Sequence, residues 1–273
     1  VREGEQVRDL VWELRAITWV FTSRRRLSGL GVHAVALRPP GPEDAAVIFR
    51  AHLGETAIAD GDDDRLVGHV VSRLGGLPYA LRLAAGLLTN NVVATLAELD
   101  AQLARGAGRA GTPLGKLRRL FDDLLAAVPP PARRTLLLCG VFATPAMRLA
   151  AVQAVGEAAG VRPTQADWEA LADFGLVDLP DDAHVALHAL LHDHARDRLR
   201  AAPYYPAIHA AYLAHYVALA ESAGRPPEPE RDYQPLAPEE QELLAVAGAL
   251  HAASDWEGLR RLLRQWTSDA NRL

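Results

Sequence analysis

The chain has 273 residues, 49% of them apolar and 23% charged, and a formal net charge of -5. That is room for two or three small domains with a sizeable core. It excludes a chain-wide basic field directed at nucleic acid or an anionic membrane. All but one of the 29 Lys and Arg residues are arginine, the exception being Lys116. The one cysteine, Cys139, lies in the apolar stretch Leu136–Val141 and reads as a small core residue, which fits a reducing cytoplasm. No apolar run approaches the ~20 residues needed to span a bilayer, and the opening residues do not read as a signal peptide. The first residue is Val1, which gives the expectation of a piece of a longer protein.

In chain order, Val7, Leu10, Val11 and Leu14 fall at helical spacing, and Ile17–Thr22 is the β-branched, aromatic run of a buried parallel strand. The basic turn Arg24-Arg25-Arg26 and a short strand around Val35–Leu37 follow. One helix and two strands cannot cover both faces of a parallel sheet, so this stretch reads as the tail of an α/β domain. After Pro39-Pro40 the pattern turns helical. A helix opens at Pro42 with Glu43 and Asp44 in its first turn and runs to Leu53. A second starts in Asp62-Asp63-Asp64, carries Leu66, Val67, Val70, Val71 and Leu74, and ends at Gly75-Gly76. A third begins at Pro78, and a fourth covers roughly Val92–Leu103. The Gly- and Ala-rich stretch from Arg105 to Gly115 is a linker. From Thr112 to about Leu199 the expected order is three helices, a hairpin (Leu176–Leu179, turn at Pro180-Asp181-Asp182, His184–Leu187), then a helix. Three helices closed by a hairpin predict a winged helix. A Pro-rich, charged linker at Gly224–Pro235 separates helices at Tyr204–Ser222 and Pro238–Ala252, and a last helix starts near Asp255 as the possible opening of a TPR-like repeat array.

Four segments in order resemble the NB-ARC branch of the STAND ATPases, in its bacterial, actinobacterial-type form. Val20-Phe21-Thr22-Ser23-Arg24 resembles the family's sensor strand, and Leu37–Ala45 the entry to its small helical subdomain. Gly75-Gly76-Leu77-Pro78-Tyr79-Ala80-Leu81 matches its GLPL motif, and Leu187-His188-Ala189 stands where the family has Met-His-Asp, with Ala189 in place of the aspartate. The resemblance covers roughly residues 5 to 200. It implies a mainly α fold: 1–38, the C-terminal remnant of a P-loop α/β domain; 39–111, a helical lid; 112–202, a winged-helix domain; 203–273, C-terminal helices. It implies nucleotide contacts from Arg24, Leu77, Pro78 and His188, with Pro78 against the nucleotide and His188 at the β-phosphate of ADP. The cofactor would be ADP or ATP, with Mg in the longer parent protein.

The P-loop itself is missing from these residues. Lys116 is followed by Leu117 rather than Ser or Thr, Ala110 stands where the first glycine would be, and no apolar strand ends in paired carboxylates. The chain alone is therefore expected to be no enzyme, the parent a slow ATPase. The expected function is a signalling switch, off with ADP and on after exchange and self-oligomerisation. Its implied partners are the absent nucleotide-binding half and an effector domain. The alternative is the regulatory module of a bacterial transcription regulator whose DNA-binding domain lies outside the chain; a third reading is a nucleotide-free scaffold. A zinc site from His184, His188, His192 and His194 has no HExxH glutamate and no second thiol, and His192, Asp193 and His194 are expected on a solvated helix face. A serine hydrolase lacks a GxSxG elbow. Direct DNA contact by the winged helix is disfavoured, because Asp167, Glu169 and Asp173 make the helix Thr164–Phe174 acidic and the wing tip carries Asp181 and Asp182.

Overall fold

In the computed structural model the described residues are Thr18, His33, Val35, 37–53, 63–105, 113–223 and 234–270. They are mainly helical with one small antiparallel sheet, as expected. The strand at Ile17–Thr22, apart from Thr18, and Arg24 lie outside them. Val35 and Leu37 belong to no regular element, since no described strand pairs with them.

Helices α1 (Pro42–Leu53), α2 (Asp63–Leu74), α3 (Pro78–Thr89) and α4 (Leu96–Arg105) come first. Their boundaries follow local chemistry: Pro42 and Pro78 fill first-turn positions whose N–H would find no partner anyway, and Gly75 and Gly76, at φ 67° and 65°, terminate α2 in the left-handed region. The apolar face expected for α2 is the buried one, with Val67, Val70 and Leu74 at 1% exposure or less. It packs on α4, while α1 packs on α3, and α5 (Pro113–Ala127) closes the group against α2 and α3.

The next stretch departs from expectation. It holds α6 (Pro130–Cys139), β1 (Ala146–Arg148), α7 (Leu149–Ala158), α8 (Gln165–Asp173), β2 (Asp178–Asp181), β3 (His184–Ala186) and α9 (Ala189–Arg200). The additional helix and the strand β1 correct the predicted order; three residues are too few to display alternation. The sheet order is β1-β3-β2, with Met147 opposite Val185. Thr164 and Asp167 form a capping box at the start of α8. Asp167 is buried there, so it does not contribute to the acidic outer face assigned to it, whereas Glu169 and Asp173 remain exposed.

His192 and His194 are also corrected: both are buried, at 3% and 5% exposure. Helix α9 is covered by α6 on one side and α5 on another, so its polar-looking residues face neighbouring helices. The His194 imidazole meets Asp122 of α5 at 2.9 Å and the Phe121 ring, and the His192 Nε2 is buried without a partner. Cys139 is fully buried, with its thiol on the Thr135 carbonyl, and burial pushes its pKa up to about 12. Helices α10 (Tyr205–Ala223), α11 (Glu240–Ala252) and α12 (Trp256–Ala270) pack together; a 3₁₀ turn at Gln234–Glu239 leads into α11, and α10 rests on α7. Among the described residues no helix is long and apolar enough to cross a membrane.

Burial, the largest cause in each case, lowers the pKa of His52, His188, His192, His194, His209 and His215 below the ordinary 6.5. Each therefore binds its proton more weakly in the folded chain than in the unfolded one. The resulting stability is full above about pH 6.5 and is lost as pH falls towards the depressed folded values. The melting temperature is expected to fall between about pH 7.5 and about pH 5.5, and His192→Leu should flatten that slope. Equal slopes in the two proteins would show that His192 takes no part.

Candidate nucleotide site at the α3–α9 junction

Helix α3 starts abruptly. Leu77 is its extended N-cap, at φ -68° and ψ 116°, and supplies no side-chain cap. Pro78 is exposed and Leu77 half-buried. Tyr79 lies between this helix start and the hairpin. Its ring stacks on the imidazole of His188, with centroids 3.9 Å apart and planes within 11°, and tilts against Phe121 at 6.0 Å. Its hydroxyl is buried without a hydrogen-bond partner, and burial is the main cause that pushes its pKa upward. An orphaned buried hydroxyl costs roughly 1–3 kcal/mol, so a ligand atom that accepts from it would be favoured.

His188 caps the start of α9 and follows β3 by way of Leu187, whose N–H donates to the Pro145 carbonyl at 2.8 Å. The His188 Nδ1 accepts the Leu190 N–H at 3.3 Å. That bond selects the tautomer with hydrogen on Nε2. Burial, and secondarily the Arg82 charge, hold the ring below the usual histidine pKa against the opposing pull of Asp178. The ring is thus neutral at pH 7, with an Nε2–H to donate.

Three further contacts fasten α3 to the hairpin end of α8. Arg82 donates to Asp178 at 2.8 Å. The Asn90 amide donates to the Asp173 carbonyl at 3.1 Å. A Cβ on Gly86 would lie 3.1 Å from the Phe174 carbonyl oxygen, so a side chain there would push the end of α8 away by a few tenths of an ångström. Gly175 turns the chain at φ 67°, and its missing Cβ leaves room for the Arg82 guanidinium.

Of the four residues singled out in the sequence, Leu77, Pro78 and His188 belong to two segments joined by the Tyr79–His188 stack; Arg24 lies outside the described residues. Tyr79 itself was passed over. It occupies the last position of the GLPL motif, and an aromatic ring in place of a leucine was the available signal. Arg82, Asn90 and Asp178 had none. Among the described residues no group of three or more His, Cys, Asp or Glu side chains is placed to hold a metal.

No protein-family model matches the chain. The chain is similar to a bacterial regulatory protein. Over 201 residues it is 29% identical to the regulatory protein AfsR of Streptomyces coelicolor, an alignment that takes in 71% of this chain and 20% of AfsR. The chain thus spans about a fifth of the length of the curated relative it matches.

Proposed function

We propose that the chain is the regulatory module of a bacterial transcription regulator and works as a nucleotide-operated switch of the NB-ARC type. Helices α1–α4 act as the lid, residues 113–200 as a winged helix, and a nucleotide sits between the start of α3 and His188. The observation that carries this reading is the stack of Tyr79 on His188, which joins the Leu77-Pro78 segment to the Leu187-His188-Ala189 segment. The strand and helix order from α6 to β3, with β1 paired to β3, supports the winged-helix assignment. The similarity to AfsR supports the regulator.

In this reading the phosphates are held by a P-loop that these 273 residues do not contain, and the chain alone hydrolyses no ATP. Pro78 covers the adenosine, the Tyr79 hydroxyl gains its missing acceptor, and the His188 Nε2–H donates to the β-phosphate. DNA is read elsewhere in the longer protein: Glu169, Asp181 and Asp182 leave α8 and the wing tip acidic, so counterion release offers little there.

The test uses the chain joined to its P-loop in the longer regulator. Pro78→Ala is expected to weaken ADP binding roughly 10-fold while costing no more than about 1 kcal/mol of stability. Unchanged ADP affinity with a lower melting temperature would reduce Pro78 to a helix-start residue. Tyr79→Phe should leave the ligand-free protein as stable or slightly more so, since an unpartnered hydroxyl is removed, yet weaken ADP binding.

A further inference from the structure

A second cleft, away from the α3–α9 junction, opens where α9, α10 and α11 meet the loop after α6. It has a volume of about 260 Å³. Its charged lining is of one sign, Arg196 and Arg200, one turn apart on α9, and His209 on α10 adds an imidazole. Tyr205, Phe142 and Tyr212 supply aromatic walls, and α11 contributes only Ala245 and Ala249.

Arg196 is fixed by neutral acceptors. Its Nη2 donates to the carbonyls of Phe142 at 2.7 Å and Ala143 at 3.1 Å, and its Nε to that of Gly140 at 3.4 Å. Carbonyl oxygens hold a guanidinium in place without cancelling its charge. No carboxylate among the described residues lies within ion-pair distance of Arg196 or Arg200. Glu242, the carboxylate behind the Tyr212 wall, is already occupied by the N–H groups of Ala143 and Thr144 and the hydroxyls of Thr144 and Tyr212. Arg196 and Arg200 therefore have no ion-pair partner among the described residues, and Glu242 is turned towards Ala143, Thr144 and Tyr212. Tyr205 is also the first residue of the 19-residue α10, so the positive end of that helix adds to the field. Two guanidinium groups without an ion-pair partner, one of them locked, beside aromatic walls form a receptor for an oxyanion carried on a small body.

We propose that this cleft is a binding site for a small phosphate- or carboxylate-bearing molecule, held by Arg196, Arg200 and His209. It reports to the junction between the sheet-bearing unit and the C-terminal helices, because its walls come from both. A bound oxyanion would also offset the depressed basicity of His209, which burial and Arg200 impose.

Calorimetric titration of the whole chain at constant ionic strength tests the site with two probes, inorganic pyrophosphate and citrate. At least one is expected to bind with a submillimolar Kd, and Arg200→Gln should weaken it 10-fold or more. Arg200 is exposed, so this variant keeps the fold, which its melting temperature checks. Preference for pyrophosphate assigns the ligand a phosphate, preference for citrate a carboxylate. His188→Ala should leave the binding unchanged, which separates this cleft from the proposed nucleotide site. Neither probe binding with a submillimolar Kd, or binding undiminished by Arg200→Gln, would overturn the proposal.

Discussion

Glu242→Ala is expected to lower the melting temperature of the chain by roughly 6–12 °C. Glu242 is 3% exposed and lies in the first turn of α11. Its two oxygens accept four hydrogen bonds: from the Ala143 N–H at 2.7 Å, the Thr144 N–H at 2.9 Å, the Thr144 hydroxyl at 2.8 Å and the Tyr212 hydroxyl at 2.7 Å. Alanine would leave two part-buried backbone N–H groups and the buried Tyr212 hydroxyl without this acceptor, while the Thr144 hydroxyl keeps the Ala146 carbonyl at 2.7 Å. Each such group costs roughly 1–3 kcal/mol, softened where water enters, so a net loss of about 3 kcal/mol is reasonable for the set. A domain of this size loses roughly 2–4 °C per kcal/mol. The neighbouring Glu239 accepts from the Tyr216 hydroxyl at 3.0 Å and pairs with Arg148 at 3.2 Å, so α11 is joined to the rest of the chain by two buried acids. Glu240→Ala, exposed one residue further on, is the control and should change little. Thermal unfolding by circular dichroism reads both. Equal melting temperatures for Glu242→Ala and the wild type would mean that the α11 start is not held by this carboxylate.

In the longer regulator, His188→Ala is expected to speed ADP release ~10- to 100-fold and to raise regulatory output without a stimulus. The magnitude comes from one hydrogen bond to a charged acceptor, on the order of 1.5–3 kcal/mol. The geometry supplies the donor: the Leu190 N–H occupies Nδ1, so Nε2 carries the hydrogen, and the Tyr79 ring at 3.9 Å fixes the imidazole plane. The residue is also set by rigid neighbours, β3 before it and α9 after it. A ligand bridging α3 and α9 biases whichever domain arrangement keeps the two together. Stopped-flow release of a fluorescent ADP analogue measures the rate; release at the wild-type rate would remove His188 from the latch.

The helices were legible where one face alone is covered. Val67, Val70, Val71 and Leu74 repeat at helical spacing because only that side of α2 meets its neighbours, and Pro42 and Pro78 mark helix starts by their missing N–H, Gly75 and Gly76 a helix end by their positive φ. The hairpin was legible from its polar residues, but β2 begins two residues after Leu176 and takes in Pro180 and Asp181, so the turn falls at Asp182-Ala183, and β3 stops at Ala186, one residue short of Leu187. Strand β1 was not: Ala146-Met147-Arg148 takes its place from pairing with β3, which no local pattern encodes. The burial of His192 and His194 was misread for the same reason, since α9 is covered on two sides by helices distant in sequence. At the site, the motif residues Pro78 and His188 were readable, but their union through Tyr79 was not. The Arg82–Asp178 bridge, 96 residues apart in sequence, was equally hidden. The buried acids Glu239 and Glu242 look in sequence like an ordinary acidic helix start.

The most direct test is where a nucleotide touches this chain. The longer regulator is irradiated with an azido-adenine analogue of ADP, digested, and the labelled peptides are sequenced by mass spectrometry. A nucleotide seated at the start of α3 predicts a cross-link within Leu77–Leu81, abolished by excess ADP and reduced in His188→Ala. Labelling confined to other segments, or labelling of Leu77–Leu81 that excess ADP does not compete away, would contradict a nucleotide held between α3 and His188.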